Sequence, residues 1–152
     1  MFYIITSMVV GVICFSLFRT IYKYKAIDKL IGLYPPFGEC EVILVRNHSL
    51  VRGSHVSGDF NGADKIIRVA MNNSLKSIMD TYLHERRHSE QAFGDNLKLT
   101  SMYNGAVGFL TYMDAIPNRS SSERFSDYYD SEHEVDARNH AASTLKEYLA
   151  KN

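Results

Sequence analysis

The chain has 152 residues, with 17 basic and 17 acidic side chains, so its formal charge is zero; 45% of it is hydrophobic. Balanced charge without a concentrated basic patch argues against a nucleic-acid surface. With no repeat and no low-complexity tract, an array and a compositional tail are also excluded. Cys14 and Cys40 lie in different regions and form no C-x-x-C pattern, which fits packing residues in a reducing compartment.

Phe2 to Phe18 carries no charge, and Thr6, Ser7 and Ser16 are its polar interruptions. Arg19, Lys23 and Lys25 follow at once, with no basic residue before the run. A cleaved signal peptide has the reverse charge order and a small-residue cleavage site. The pattern predicts an uncleaved transmembrane anchor over 1–20, touching the bilayer through residues 2–18, at the short end of spanning length. The positive-inside rule then makes this a single-pass membrane protein whose C-terminal domain is cytoplasmic. A buried core helix is the alternative, and the absence of a polar face speaks against it. Residues 21–36 read as a juxtamembrane segment, amphipathic from Ile21 to Leu33 and broken at Tyr34-Pro35-Pro36-Phe37-Gly38. Residues 37–152 are long enough for one hydrophobic core.

Within that domain, Glu41–Arg46 and Lys65–Met71 have the β-branched content of strands, and the glycine-spotted stretch 48–62 suggests a hairpin or long turns. Asn72, Asn73 and Ser74 offer N-caps to a helix. Leu75, Ile78, Met79, Tyr82 and Leu83 supply its apolar stripe, and Gly94 a stop. Leu97–Met113 predicts a packing helix with a small-residue middle, Gly105-Ala106-Val107-Gly108. Asn118–Ser126 is a charged, serine-rich loop, either a lid or a linker. Ser131 caps a last helix running to Lys151, with Glu132 and Glu134 at the positive end of its dipole. Strands followed by helices predict an α+β domain with a short antiparallel or mixed sheet.

The chemistry concentrates in the pentapeptide His84-Glu85-Arg86-Arg87-His88. Two imidazoles four apart stand one turn above the other and can share a metal ion. Glu85 then lies beside the water on that ion, where a general base is needed. A solvated polar face carrying two histidines by accident is the bland alternative. A third ligand decides between them, since catalytic zinc takes three protein ligands and leaves one position for water. On the last helix Val135, Ala137, Ala141, Ala142, Leu145, Tyr148 and Leu149 share one broad face, with Glu134 near its middle, while Glu132, Asp136 and His140 project away. A carboxylate inside an apolar stripe is costly unless paired or metal-bound, so Glu134 is the expected third ligand.

Together His84-Glu85-Arg86-Arg87-His88 and Glu134-Val135-Asp136-Ala137 resemble the gluzincin clan of zinc metallopeptidases. The chain is particularly similar to membrane-associated Ste24/HtpX-type peptidases and to the compact minigluzincins, over about Ile66 to Ala142. The resemblance implies a zincin-like domain, a Zn²⁺ cofactor and a polypeptide substrate. It also implies that the strand before the active helix is a sheet edge to which an extended substrate adds. Lys65–Met71 is the candidate, although the same residues suit a buried strand. Those families often place an aspartate four residues after the glutamate, supporting a histidine ligand; here that position is Arg138.

The expected mechanism uses His84, His88 and Glu134 to hold Zn²⁺ and Glu85 as the proton acceptor. Tyr128 or Tyr129 could donate to the developing oxyanion, with His133 and His140 as weaker options and plain packing as the alternative for either tyrosine. His48 and His55 suit surface positions. The competing expectation is a catalytically silent zincin-like module that binds a peptide or membrane partner. Oligomeric state stays open at this point.

Overall fold

The computed structural model describes residues 2–46, 57–114 and 128–152. They fall into two units, Met1–Tyr34 and Pro35–Asn152. His48, His55 and the loop expected over 118–126 lie outside the described residues.

The first unit is a single helix, α1 (Phe2–Leu33). The stretches expected as anchor and as juxtamembrane segment form one continuous helix because no proline intervenes before Pro35, where the helix has just ended with Tyr34 N–H bonded to the Leu30 carbonyl at 2.9 Å. Among the described residues no helix is long and apolar enough to cross a membrane. The expected span over 2–18 therefore gains nothing from the structure. Its uncharged run stops at Arg19, short of the roughly 20 apolar residues that a bilayer core requires. Val12, Phe15, Leu17, Phe18 and Ile21 nonetheless stay exposed on this helix.

In the second unit the chain turns through Gly38 and Glu39, both at positive φ. Gly38 is required there, since a Cβ would sit 2.5 Å from the Phe93 ring. Strands β1 (Glu41–Val45), β2 (Gly58–Asn61) and β3 (Ile66–Ala70) form a mixed sheet in the order β1-β3-β2. β1 runs parallel to β3 with Val42 opposite Ile67 and Leu44 opposite Val69; β2 runs antiparallel with Asp59 opposite Arg68. The β2–β3 turn is held by Asn61, whose Oδ1 accepts from the amides of Ala63 and Asp64.

One expectation is corrected here. Lys65–Met71 is the central strand, paired on both sides, with Ile67, Val69 and Ala70 buried. The two edges are β1 and β2, and β2 lies in the stretch 48–62 whose pattern suggests a hairpin or long turns. A short strand of Gly, Asp, Phe and Asn has little β propensity of its own and depends on pairing with β3.

Helix α2 (Leu75–Phe93) begins at Ser74, whose side chain accepts the Ser77 amide at 3.2 Å, and ends where Gly94 N–H reaches the Glu90 carbonyl. Helices α3 (Leu97–Asp114) and α4 (Glu132–Lys151) follow. α2 packs against β2, β3, α3 and α4. Ile67, Val69, Ile78, Tyr82 and Leu83 are fully buried at this junction. On α4 the buried line is Ala137, Ala141, Leu145 and Tyr148, while Val135 and Leu149 are exposed. Its apolar face is thus narrower than the helical wheel suggests. The described domain is α+β, one small mixed sheet with its helices.

Candidate metal centre

Three side chains converge where α2 crosses α4. His84 Nε2 lies 3.2 Å from Glu134 Oε2, and His88 Nε2 lies 3.1 Å from Glu134 Oε1. The two Nε2 atoms are 3.1 Å apart. The residues come from the first and last described helices of the second unit, and their donor atoms form one cluster that could hold a metal ion.

The hydrogen bonds around His88 show what that cluster wants. Gln91, one turn further along α2, donates from Nε2 to the His133 carbonyl (2.9 Å) and to Asp136 (2.8 Å). Its Oε1 is then the acceptor for His88 Nδ1–H at 2.8 Å. With the proton on Nδ1, the Nε2 lone pair of His88 faces Glu134 Oε1, a buried oxygen with no hydrogen-bond partner among the described residues. Lone pairs meeting at this distance repel, so a proton or a metal ion belongs between them.

The electrostatics agree. Burial draws His88 downward, but the Glu134 and Glu85 carboxylates beside it outweigh it, and its pKa is raised. Burial pushes Glu134 upward, yet the His84 and His88 imidazoles against it hold it far below the carboxylate range. An ionised carboxylate set between two imidazoles is a good donor set for a divalent cation.

Glu85 is 8% exposed and lines the same cleft. Its pKa is raised, chiefly by burial, with the two histidines pulling the other way. β2 passes directly over it at Gly58, where a Cβ would meet Thr81 at 2.5 Å, the Arg68 carbonyl at 2.9 Å and Glu85 Cγ at 3.2 Å. Only a glycine lets the edge strand come so close to the helix. The cleft measures about 1010 Å³ and runs from β2 across the cluster to α4.

The two tyrosines take separate positions. The Tyr128 hydroxyl donates to the Glu134 carboxylate, and burial together with that acid pushes its pKa well up. Tyr129 is half exposed and lies under the Arg138 guanidinium, 3.7 Å from ring centre to Cζ. His133 is buried, its ring 5.5 Å from that of His88 and its Nδ1 2.9 Å from the Ser131 hydroxyl. Burial, reinforced by His88, lowers its pKa to about 4, so it is neutral near pH 7. His140 is lowered too, by burial and then Arg87. Its Nε2 neighbours Thr144 on the same helix at 3.4 Å.

Two features escape the sequence reading. Asp136 does not project away: it accepts from Arg87 at 2.7 and 3.1 Å and from Gln91, tying α4 to α2. Gln91 is the side chain that holds His88 Nδ1. The signal was available, since Gln91 is three residues from His88 on the same helix face.

Comparison with known proteins finds no match for this chain among family models, characterised proteins or solved structures.

Proposed function

We propose that this protein is a zinc-dependent peptidase whose metal is held by His84, His88 and Glu134. The observation that carries the reading is the mutual spacing of the three donors, 3.1–3.2 Å. Ligands about 2.0–2.1 Å from a tetrahedral ion stand about 3.3–3.4 Å apart, so the donors need to spread by only a few tenths of an ångström. Two imidazoles and one carboxylate suit zinc with one position left for water. The bound ion would lower the pKa of that water and polarise a peptide carbonyl.

The chain's own residues supply the remaining roles. Glu85, poised upward by burial, accepts the proton of the attacking water and returns it to the leaving amine. Gln91 fixes the His88 tautomer, and Tyr128 orients Glu134. The free side of β2 borders the cleft and offers backbone groups to an extended peptide. Attachment to a bilayer through residues 2–18, with the domain cytoplasmic, belongs to the same proposal and rests on the apolar run and the basic residues after it. Flotation of the full chain with liposomes, lost on Phe15→Asp with Phe18→Asp, checks it.

Metal analysis of the purified full chain is expected to find one zinc, lost on His84→Ala. Hydrolysis of an unfolded protein is expected to fall about 10²–10⁴-fold in Glu85→Gln while zinc is retained. Zinc without Glu85-dependent hydrolysis leaves a silent peptide-binding module. No stoichiometric zinc, with nothing lost on His84→Ala, leaves a structural protein without a metal.

A further inference from the structure

The zinc-peptidase reading leaves a cleft-lining cation unused. Arg138, one turn after Glu134 on α4, borders the same cleft as His84 and Glu85. Its guanidinium carbon lies over Tyr129, 3.7 Å from the ring centre. Nη1 is buried and has no hydrogen-bond partner among the described residues. The nearest acid is Glu134, whose Oε2 is 3.9 Å away, too far for a hydrogen bond.

A buried donor atom without a partner is expensive to maintain, although the Arg138 side chain as a whole is 28% exposed. Glu134 does not relieve it, being engaged with two imidazoles and Tyr128. Asp59 across the cleft gives its Oδ2 to Arg68 at 2.9 Å, and its Oδ1 is buried without a partner. The cleft therefore presents a permanently charged guanidinium whose Nη1 has no acceptor among the described residues.

We propose that Arg138 is a specificity-determining residue that pairs with a carboxylate of the peptide substrate. This rests on the zinc-peptidase reading. Nη1 is 3.9 Å from a ligand oxygen, and that oxygen is about 2 Å from a bound ion, so the guanidinium reaches within about 6 Å of the metal. An extended chain advances about 3.3–3.6 Å per residue, which sets the recognised carboxylate one or two residues from the scissile carbonyl. That carboxylate is either the free C-terminus of the substrate or an Asp or Glu side chain. A bidentate pairing with the planar fork is available to both.

The test uses zinc-loaded full chain and matched pairs of fluorogenic pentapeptides. One pair differs in a C-terminal acid against its amide; the other, amidated at the end, carries Glu against Gln beside the cleaved bond. Hydrolysis is followed as kcat/KM, and binding of the same peptides to zinc-loaded Glu85→Gln is followed by calorimetry. The acidic member of one pair is expected to be preferred by about 10- to 100-fold. Arg138→Gln should erase that preference by slowing and weakening the acid alone, and Arg138→Lys should restore part of it. Zinc content and melting temperature, measured on each variant, should stay near wild type. Preference in the first pair makes the site a reader of chain ends, and preference in the second a reader of acidic side chains. Equal handling of both members of both pairs, or equal losses on Arg138→Gln, overturns the proposal while the peptidase stands. Absence of zinc in the wild type overturns both.

Discussion

The two halves of α2 are buried to similar depth by different physics. Ile78, Met79, Tyr82 and Leu83 are shielded from water and gain from area alone, at roughly 25 cal/mol per Å². Glu85, His88 and Gln91 are as deeply enclosed, yet each of their polar atoms needs a partner or a charge that justifies its position. Gln91 meets that demand completely, bonding His88, His133 and Asp136. The cluster of His84, His88 and Glu134 meets it with a proton or a metal ion between the donors. One half of the helix thus builds the fold, and the other spends part of that stability on a site that is incomplete by itself.

If that division holds, lesions in the two halves should separate. Leu83→Ala, at a fully buried apolar position, is expected to cost about 2–5 kcal/mol of stability. Measured well below the melting point, its zinc affinity should match wild type. A change in zinc affinity larger than a few-fold there would mean that the halves are coupled.

Gln91→Ala should behave in the opposite sense. It removes the acceptor that holds the His88 proton on Nδ1, so zinc affinity is expected to weaken about 10- to 100-fold. Competition with a chromophoric chelator reads this directly. Stoichiometry at saturating zinc should be unchanged, because all three ligands remain.

The smallest effect sharpens the electrostatic side of the comparison. In the proposed site zinc would bind His88 only when Nε2 is free of its proton, and the pKa of His88 is raised. Proton competition therefore begins at a higher pH than for an ordinary imidazole. Affinity should decline as pH falls through that raised value, by up to about tenfold per pH unit for each proton displaced. A profile flat down to the usual histidine range of about 6.5 would show that His88 is not held by Glu134 in solution.

Burial along α4 offers a second contrast within the domain. Ala137, Ala141, Leu145 and Tyr148 lie inside, whereas Val135 and Leu149 do not. The face that touches α2 is set by where Glu134 and Asp136 must point, since both are tied to α2 residues. Polar pairing rotates the helix away from the setting that hydrophobicity alone would choose.

Local pattern was enough for much of this molecule. Helix periodicity makes α2 and α4 legible, and the four-residue spacing of His84 and His88 puts two imidazoles on one face whatever the fold. The anomalous carboxylate at Glu134 is visible for the same reason. β1 and β3 announce themselves through β-branched residues. What local pattern could not decide was every relation that crosses the chain. β2 exists because β3 pairs with it, and its place at the sheet edge beside Glu85 depends on the absence of a side chain at Gly58. Asp136 faces inward because Arg87 and Gln91 await it 45 and more residues earlier. Arg138 counts as a cleft residue only once α4 has docked beside α2 and Tyr129 has folded beneath it. Sequence repeats encode which face of an element is apolar; which partner meets each polar atom is settled only when the elements pack, because hydrogen bonds and ion pairs act over ångströms and not along the chain.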